Sequence, residues 1–266
     1  MNLGVSSFAF GWGARIGRPL MDELALVAFA QRHGVGIVQL GDNLPLHERS
    51  AGQRASLKAA ADAAGVTLEL GARGLTEAHL QTYLDLCAEM RSSLLRFVVD
   101  AAGHEPTLPE LASLLRNAAP ALAAVGVTLG IENHDRFRSA DLRRLIDDVG
   151  SPRVGICLDT ANSLGAGEGL EHVAEWLAPV TVNLHVKDVT IRRVAHQMGF
   201  TIAGCTLGEG HLPIRPLIER LRARGYTGSV ILEAWWPPAF EDSATVAGEL
   251  ASAEAGLRVL KQWLQT

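Results

Sequence analysis

The sequence predicts an α/β fold in which eight strands alternate with helices and close into a (β/α)8 TIM barrel, a single domain over residues 1–266. Three observations predict it. One unit recurs along the chain: an amphipathic helix, a glycine, then a short β-branched run ending in polar residues. Eight such β-like runs are present. The length, 266 residues with 48% apolar content, suits one large core, and no Gly/Ser-rich linker, charge block or low-complexity segment interrupts it. An open doubly wound sheet is the alternative arrangement of the same elements.

Taken in order, the strands are expected near residues 3–8, 35–41, 66–71, 94–99, 127–132, 154–159, 182–187 and 229–234. The clearest copies of the unit are HGVGIVQLGDN (33–43), AGVTLELGAR (64–73) and VGVTLGIENHD (125–135), with RGYTGSVILEAWW (224–236) a looser one. Gly34, Gly65, Gly126 and Gly225 are placed to end the preceding helices in a left-handed conformation. The helix after Thr107 opens T-L-P-E, which predicts a capping box closed by Glu110 with Pro109 in the first turn. The segment from Asp188 to about His211 reads as a long loop and, for that length, as a functional one. Its Gly208-Glu209-Gly210 reads as turn chemistry.

A formal net charge of −5 gives no electrostatic footprint for nucleic acid or an anionic membrane surface. No apolar run approaches the ~20 residues of a membrane helix. The N-terminus MNLGVSSFAFGWG has no basic segment followed by an apolar run, so no secretory signal is expected. Three cysteines, Cys87, Cys157 and Cys205, without CxxC spacing suit a reducing cytoplasm and read as small core residues. The C-terminal LRVLKQWLQT either closes the barrel or contributes to a homo-oligomer surface.

Strand parity locates the chemistry. In a barrel wrapped by helices, one side of each strand meets the helices and the other faces the axis. Run 182–187 puts Val182, Leu184 and Val186 outward and Asn183, His185 and Lys187 inward. By the same test Thr128, Gly130, Glu132 and His134 point inward on the fifth strand, Gly155, Cys157 and Asp159 on the sixth, and Ile231, Glu233 and Trp235 on the eighth. Glu132, Asp159, His185 and Glu233 thus converge at the C-terminal ends of four successive strands, where barrel enzymes keep their active sites. Burying them together is costly without a partner. One divalent cation is the natural partner, and three carboxylates with one imidazole favour Mn²⁺, with Mg²⁺, Co²⁺ and Zn²⁺ open.

Glu69 and Arg96, on the inner rows of the third and fourth strands, are expected to form an internal charge pair. Lys187 can reach a substrate oxygen or a carboxylate. Trp12 is a candidate for stacking on sugar CH groups, with Trp235 and Trp236 near it across the seam. Arg192, beside Arg193, and His196 are candidates on the long loop for meeting a substrate. His33, His79 and His172 fall in helices and read as solvated.

With these residues, IEN at 131–133, CLDTAN at 157–162, LHVKD at 184–188, GEGHLPI at 208–214 and ILE at 231–233, the chain resembles the xylose isomerase-like TIM-barrel superfamily, in its sugar phosphate isomerase/epimerase group. The resemblance implies one metal on Glu132, Asp159, His185 and Glu233, with the two glutamates also forming the acid/base pair. Two positions depart from the epimerase pattern. Asn162, a candidate for meeting the substrate, stands where those enzymes carry a histidine, and Ile191 where they carry a substrate arginine, with Arg192 one position off. The function expected is divalent-metal-dependent isomerisation or epimerisation of a keto-sugar, by proton abstraction next to a carbonyl through a metal-stabilised enediolate. The alternative is a dehydratase or lyase eliminating a β-substituent, with His196 or His134 protonating the leaving group. An endonuclease IV-like phosphodiesterase needs several metals and a basic surface and fits less well, as does a non-catalytic sugar-binding barrel.

Overall fold

The computed structural model describes residues 1–16 and 21–265. Eight parallel strands form a closed barrel. They are β1 (Asn2–Ser6), β2 (Ile37–Leu40), β3 (Thr67–Arg73), β4 (Leu94–Val98), β5 (Thr128–Glu132), β6 (Val154–Asp159), β7 (Thr181–Val186) and β10 (Ser229–Leu232). All eight lie within two residues of their sequence positions, and β1 closes the seam by pairing with both β10 and β2. An open sheet is thereby excluded.

Helices α1 (Gly11–Arg15), α2 (Glu23–Arg32), α3 (Ala51–Ala64), α4 (Glu77–Met90), α5 (Leu108–Val125), α6 (Ser139–Val149), α7 (Leu170–Leu177), α8 (Ile214–Ala223) and α9 (Asp242–Gln265) wrap the barrel. None among the described residues is long and apolar enough to cross a membrane. Gly34, Gly65, Gly126 and Gly225 all have positive φ, between 58° and 80°, the conformation that lets a helix carbonyl end be satisfied and the next strand begin. The Thr107–Glu110 capping box forms as expected. Outward residues such as Leu129, Ile131, Ile156, Leu158, Leu184 and Val230 are fully buried against the helices, and burying side chains of this size contributes roughly 1.5–3 kcal/mol each. Helix α9 buries Ala253, Leu257 and Leu260 on the barrel and packs against β1 and β10, so LRVL closes the barrel.

Two expectations are corrected. The segment after β7 is an antiparallel hairpin, β8 (Asp188–Arg193) with β9 (Phe200–Cys205). Its alternation, VTIRR against FTIAGC, is genuine strand patterning that the basic pair obscures. Val182 turns inward. The β6–β7 register shifts between Ile156 and Cys157, and the Val182 methyls fill the space left by two inner-row glycines: a Cβ on Gly155 would lie 2.4 Å, and one on Gly130 3.4 Å, from them. The irregularity admits an extra residue, which breaks strict alternation.

Candidate active site

β5, β6 and β7 end side by side with Glu132, Asp159 and His185 on their inner rows, and Glu233 follows β10 on the same face. All four are buried, and one ligand-type atom from each lies within 4.8 Å of the others. Local chain features aim them. Asn133, just past β5, accepts the Asp159 amide N–H on its side-chain carbonyl at 2.7 Å and donates to the Asp159 backbone carbonyl at 3.0 Å, bracing the ends of β5 and β6. Asp159 Oδ1 accepts the N–H groups of Ala161 and Asn162, both at 2.8 Å, leaving Oδ2 to point inward.

Two buried cations share the pocket. Lys187 Nζ sits 2.8 Å from Asp159 Oδ2 and 2.9 Å from Glu233 Oε2. Arg96 Nε contacts Glu132, while its Nη1 donates to Asp42 at 2.9 Å. The expected Glu69–Arg96 pair does not form: Arg96 lies opposite Gly130 and reaches up the barrel to Glu132 and Asp42. Glu69 sits lower and accepts from Gln39 Nε2 at 3.0 Å. Asp42 also receives Arg73 at 3.0 Å. Burial works to raise its carboxyl, and the two arginines overcome this and hold it below the ordinary range.

His185 offers Nδ1 to the cluster, 3.1 Å from Glu233 Oε1 and 3.9 Å from Glu132 Oε1. Burial lowers its pKa to about 4 in spite of the Glu233 charge, so the ring is neutral at neutral pH. Burial also pushes Glu132 up to about 7, against the pull of Arg96. At Glu233 burial acts in the same upward direction, but His185, Lys187 and Arg96 outweigh it and hold the carboxyl far below its usual range.

Glu132 Oε2 and Asp159 Oδ2 are held only in ion pairs with Arg96 and Lys187, and His185 Nδ1 and Glu233 Oε1 carry no hydrogen bond. Buried polar atoms are rarely left so. His185 Nδ1 faces the Glu233 Oε1 carboxylate oxygen at 3.1 Å, and a cation bound between them would match both. Oxygen-rich donors with one imidazole could hold a divalent ion such as Mn²⁺ or Mg²⁺. The residues present therefore fit such a group. Among the described residues, the groupings able to hold a metal all include Glu132 and His185.

Asn162, a sequence candidate, donates through Nδ2 to Glu132 Oε1 at 2.7 Å. Trp12 is half-buried at the β1–β10 seam, its indole N–H on the Trp236 carbonyl at 2.8 Å and its backbone N–H on Glu249 of α9 at 2.8 Å. The Trp235 ring lies 5.0 Å from Lys187 Nζ. His134 stands outside the cluster with Nδ1 at 2.6 Å from Asp135. Arg192 is exposed on β8, and His196 is exposed at the hairpin turn, accepting the Met198 N–H at 3.3 Å. The structure does not bring these two to the four. Gly208 and Gly210 donate their N–H groups to Asp188 Oδ2 at 3.1 and 3.0 Å, so the glycine segment is a turn wrapped around a carboxylate. His172 is exposed, but His79 is packed edge-on against Tyr83 and Phe97, so its reading as solvated is corrected.

Sequence reasoning missed Gln39, Asp42 and Asn133. Gln39 was detectable by carrying the parity test to the second strand. Asp42 and Asn133 lie past strand ends, where parity lapses.

Known proteins agree with the barrel. Residues 3–263 match the family described as xylose isomerase-like TIM barrel. The chain is similar to 3-oxo-isoapionate decarboxylase of Pectobacterium atrosepticum, 34% identical over 239 residues that make up 89% of this chain and 86% of that protein. Among solved structures, D-psicose 3-epimerase from Clostridium cellulolyticum superposes with a TM-score of 0.74 at 17% identity over 99% of both chains. A probable 3-DHS dehydratase from Bacillus anthracis gives 0.69 at 15% identity over 98% of this chain and 99% of that one. At these identities the two structures speak for the fold.

Proposed function

We propose, from the premise that this chain belongs to the xylose isomerase-like TIM-barrel family, that it is a divalent-cation-dependent enzyme which decarboxylates a 3-oxo acid derived from a sugar. The observation that carries the reading is the pair of buried cations. Each glutamate of the cluster already holds one: Glu132 contacts Arg96, and Glu233 contacts Lys187. Glu233, held far below the ordinary carboxylate range, is a poor base for pulling a proton from carbon. Glu132, which burial raises to about 7, is then the single base of the two, so a reaction needing a base on each face is short of one. Loss of carbon dioxide needs no such base. The bond from the α-carbon to the carboxylate breaks, its electrons delocalise toward the 3-oxo oxygen, and a proton later reaches the α-carbon.

The formal charges agree. Three carboxylates against Lys187 and Arg96 leave one negative charge, Asp42 being matched by Arg73. With a divalent ion the pocket becomes positive by one, which suits an anionic acid and the enolate it yields. When bound to Glu132, Asp159, His185 and Glu233, that ion supplies the positive charge that polarises the oxo group. Asn133 braces the Asp159 backbone, Asn162 holds the Glu132 carboxylate in place, and Lys187 carries N–H donors at the reacting end. Trp12 and Trp235 offer apolar faces to the sugar-like carbons. The similarity to a 3-oxo acid decarboxylase supports the substrate class.

Isomerisation or epimerisation of a keto-sugar is the second reading, favoured by Glu132 and Glu233 both approaching His185 Nδ1, at 3.9 and 3.1 Å. Incubating the Mn²⁺-supplemented protein with 3-oxo sugar acids and with ketoses in D₂O separates the two. Carbon dioxide release with one deuterium at the former α-carbon supports the decarboxylase. An isomer differing only by deuterium uptake supports the second reading, and loss of water indicates a dehydratase.

A further inference from the structure

His185 is gripped from behind. Its Nε2 lies 2.6 Å from Gln39 Oε1, deep in the barrel. Which way the Gln39 amide points is decided by its other neighbours: its Nε2 lies 3.0 Å from Glu69 Oε2 and 3.1 Å from Asn183 Oδ1, both acceptors. Asn183 is itself fixed, because its Nδ2 donates to Ser229 Oγ at 2.7 Å and Cys157 donates to its Oδ1 at 3.0 Å. With the Gln39 NH₂ committed to two acceptors, its carbonyl is what remains for His185. A carbonyl only accepts, so the imidazole must carry its proton on Nε2, leaving the Nδ1 lone pair toward Glu233 and Glu132.

We infer that Glu69 and Gln39 are positioning residues: the line Glu69–Gln39–His185 fixes the imidazole as its Nε2–H tautomer and aims Nδ1 at the cation, the ion itself resting on the reading above. Glu69 and Gln39 touch none of the carboxylates of the cluster and act through His185. Outer partners of this kind set ligand orientation and basicity, and their loss typically lowers metal affinity 10- to 100-fold. Gln39 and His185 are buried, so water does not take over the hydrogen bond between them.

The test uses the full chain with ¹⁵N-labelled histidine, free of metal, with the His185 signals identified by their loss in His185→Asn. Mn²⁺ affinity is measured in parallel by competition with a chelator. Wild type is expected to show His185 as the Nε2–H tautomer. In Gln39→Leu the Nδ1–H tautomer should appear, its proton on Glu233, and Mn²⁺ affinity should fall 10- to 100-fold. Glu69→Leu should move both in the same direction by less, because Asn183 still accepts from Gln39, and Glu69→Gln, which keeps an acceptor, should restore them. A wild-type ring protonated on Nδ1, or a tautomer unmoved in a folded Gln39→Leu, overturns the inference. A wild-type protein that takes up no Mn²⁺ while its tautomer responds as described supports the line and overturns the cation reading. The wild-type tautomer decides the matter even where Gln39→Leu does not fold.

Discussion

The two ends of the barrel are both polar inside, yet they differ in kind. At the N-terminal end, Glu69, Asn183, Ser229 and Gln39 satisfy one another through hydrogen bonds, and a cavity of about 1140 Å³ opens there, lined in part by Asn2, Thr67, Glu69, Thr128 and Ser229. At the C-terminal end, Glu132, Asp159, His185 and Glu233 converge with two cations, and His185 Nδ1 and Glu233 Oε1 make no hydrogen bond. That cavity belongs to the settled end, and the chemistry belongs to the end where ionisable groups are buried together.

Removing a charge from the C-terminal end is the most direct way to break this contrast. Glu233→Gln preserves volume but removes one carboxylate from the cluster. Its cation affinity and its turnover of any substrate found for the wild type should each fall by at least about 100-fold, beyond what loss of an outer partner produces. Metal per chain after gel filtration from excess Mn²⁺, together with steady-state rates, checks this. Chelation of the wild type should abolish turnover and Mn²⁺ should restore it.

Removing a cation tests the same end from the other side. Lys187→Met strips Asp159 and Glu233 of a shared ammonium in a fully buried pocket. Breaking a buried pair in this way costs about 3–5 kcal/mol, so the metal-free variant should show that loss in urea unfolding. Added Mn²⁺ should recover part of it, since an ion that binds only the folded state stabilises it by mass action. A Lys187→Met protein as stable as wild type without metal would mean that the pocket opens to water.

The contrast was only half legible in the sequence. Parity along β5, β6, β7 and β10 put Glu132, Asp159 and His185 on one row, with Glu233 beyond it, because a parallel barrel leaves each strand one polar face. The glycine caps and the Thr107 box were legible because they are local. What stayed hidden was pairing. Arg96 chooses Glu132 and Asp42 over Glu69, and that choice depends on strand stagger, which no single strand encodes. The hairpin was hidden for another reason: β8 and β9 pair with each other and stand outside the barrel frame used to find the rest.

The settled end makes its own prediction, on pH. Burial raises Glu69 to about 7, while the Ser229 hydroxyl and Gln39 pull it down. Its folded pKa thus exceeds the ordinary glutamate value of 4.5. Between these two values the unfolded chain releases a proton that the folded chain keeps, so stability is fullest below about pH 4.5 and declines as pH rises to about 7. The contribution lost is on the order of 3 kcal/mol. Glu132, also raised to about 7, adds to the same decline in metal-free protein, so the difference between wild type and Glu69→Gln in denaturant titrations from pH 4.5 to 8 isolates Glu69. A difference that does not change with pH would show Glu69 already ionised and compensated.

The smallest expected effect lies between the two ends, at the register shift. Val182 enters the barrel because Gly130 and Gly155 leave room for it, and a Cβ on Gly155 would lie 2.4 Å from a Val182 methyl and 2.8 Å from the Val180 carbonyl. Gly155→Ala should therefore overpack the interior by about 1–3 kcal/mol. Adding Val182→Ala removes the methyl contact but not the backbone one, so the double variant should recover only part of the loss, a non-additivity expected of residues in contact. Because Asp159 and His185 lie beyond the irregularity on the same two strands, the single variant also reports how far it sets the ligand row. If Gly155→Ala lowers Mn²⁺ affinity as well as stability, the shift holds the two strands in the stagger the site requires. If stability alone falls, the rows above and below Cys157 are independent.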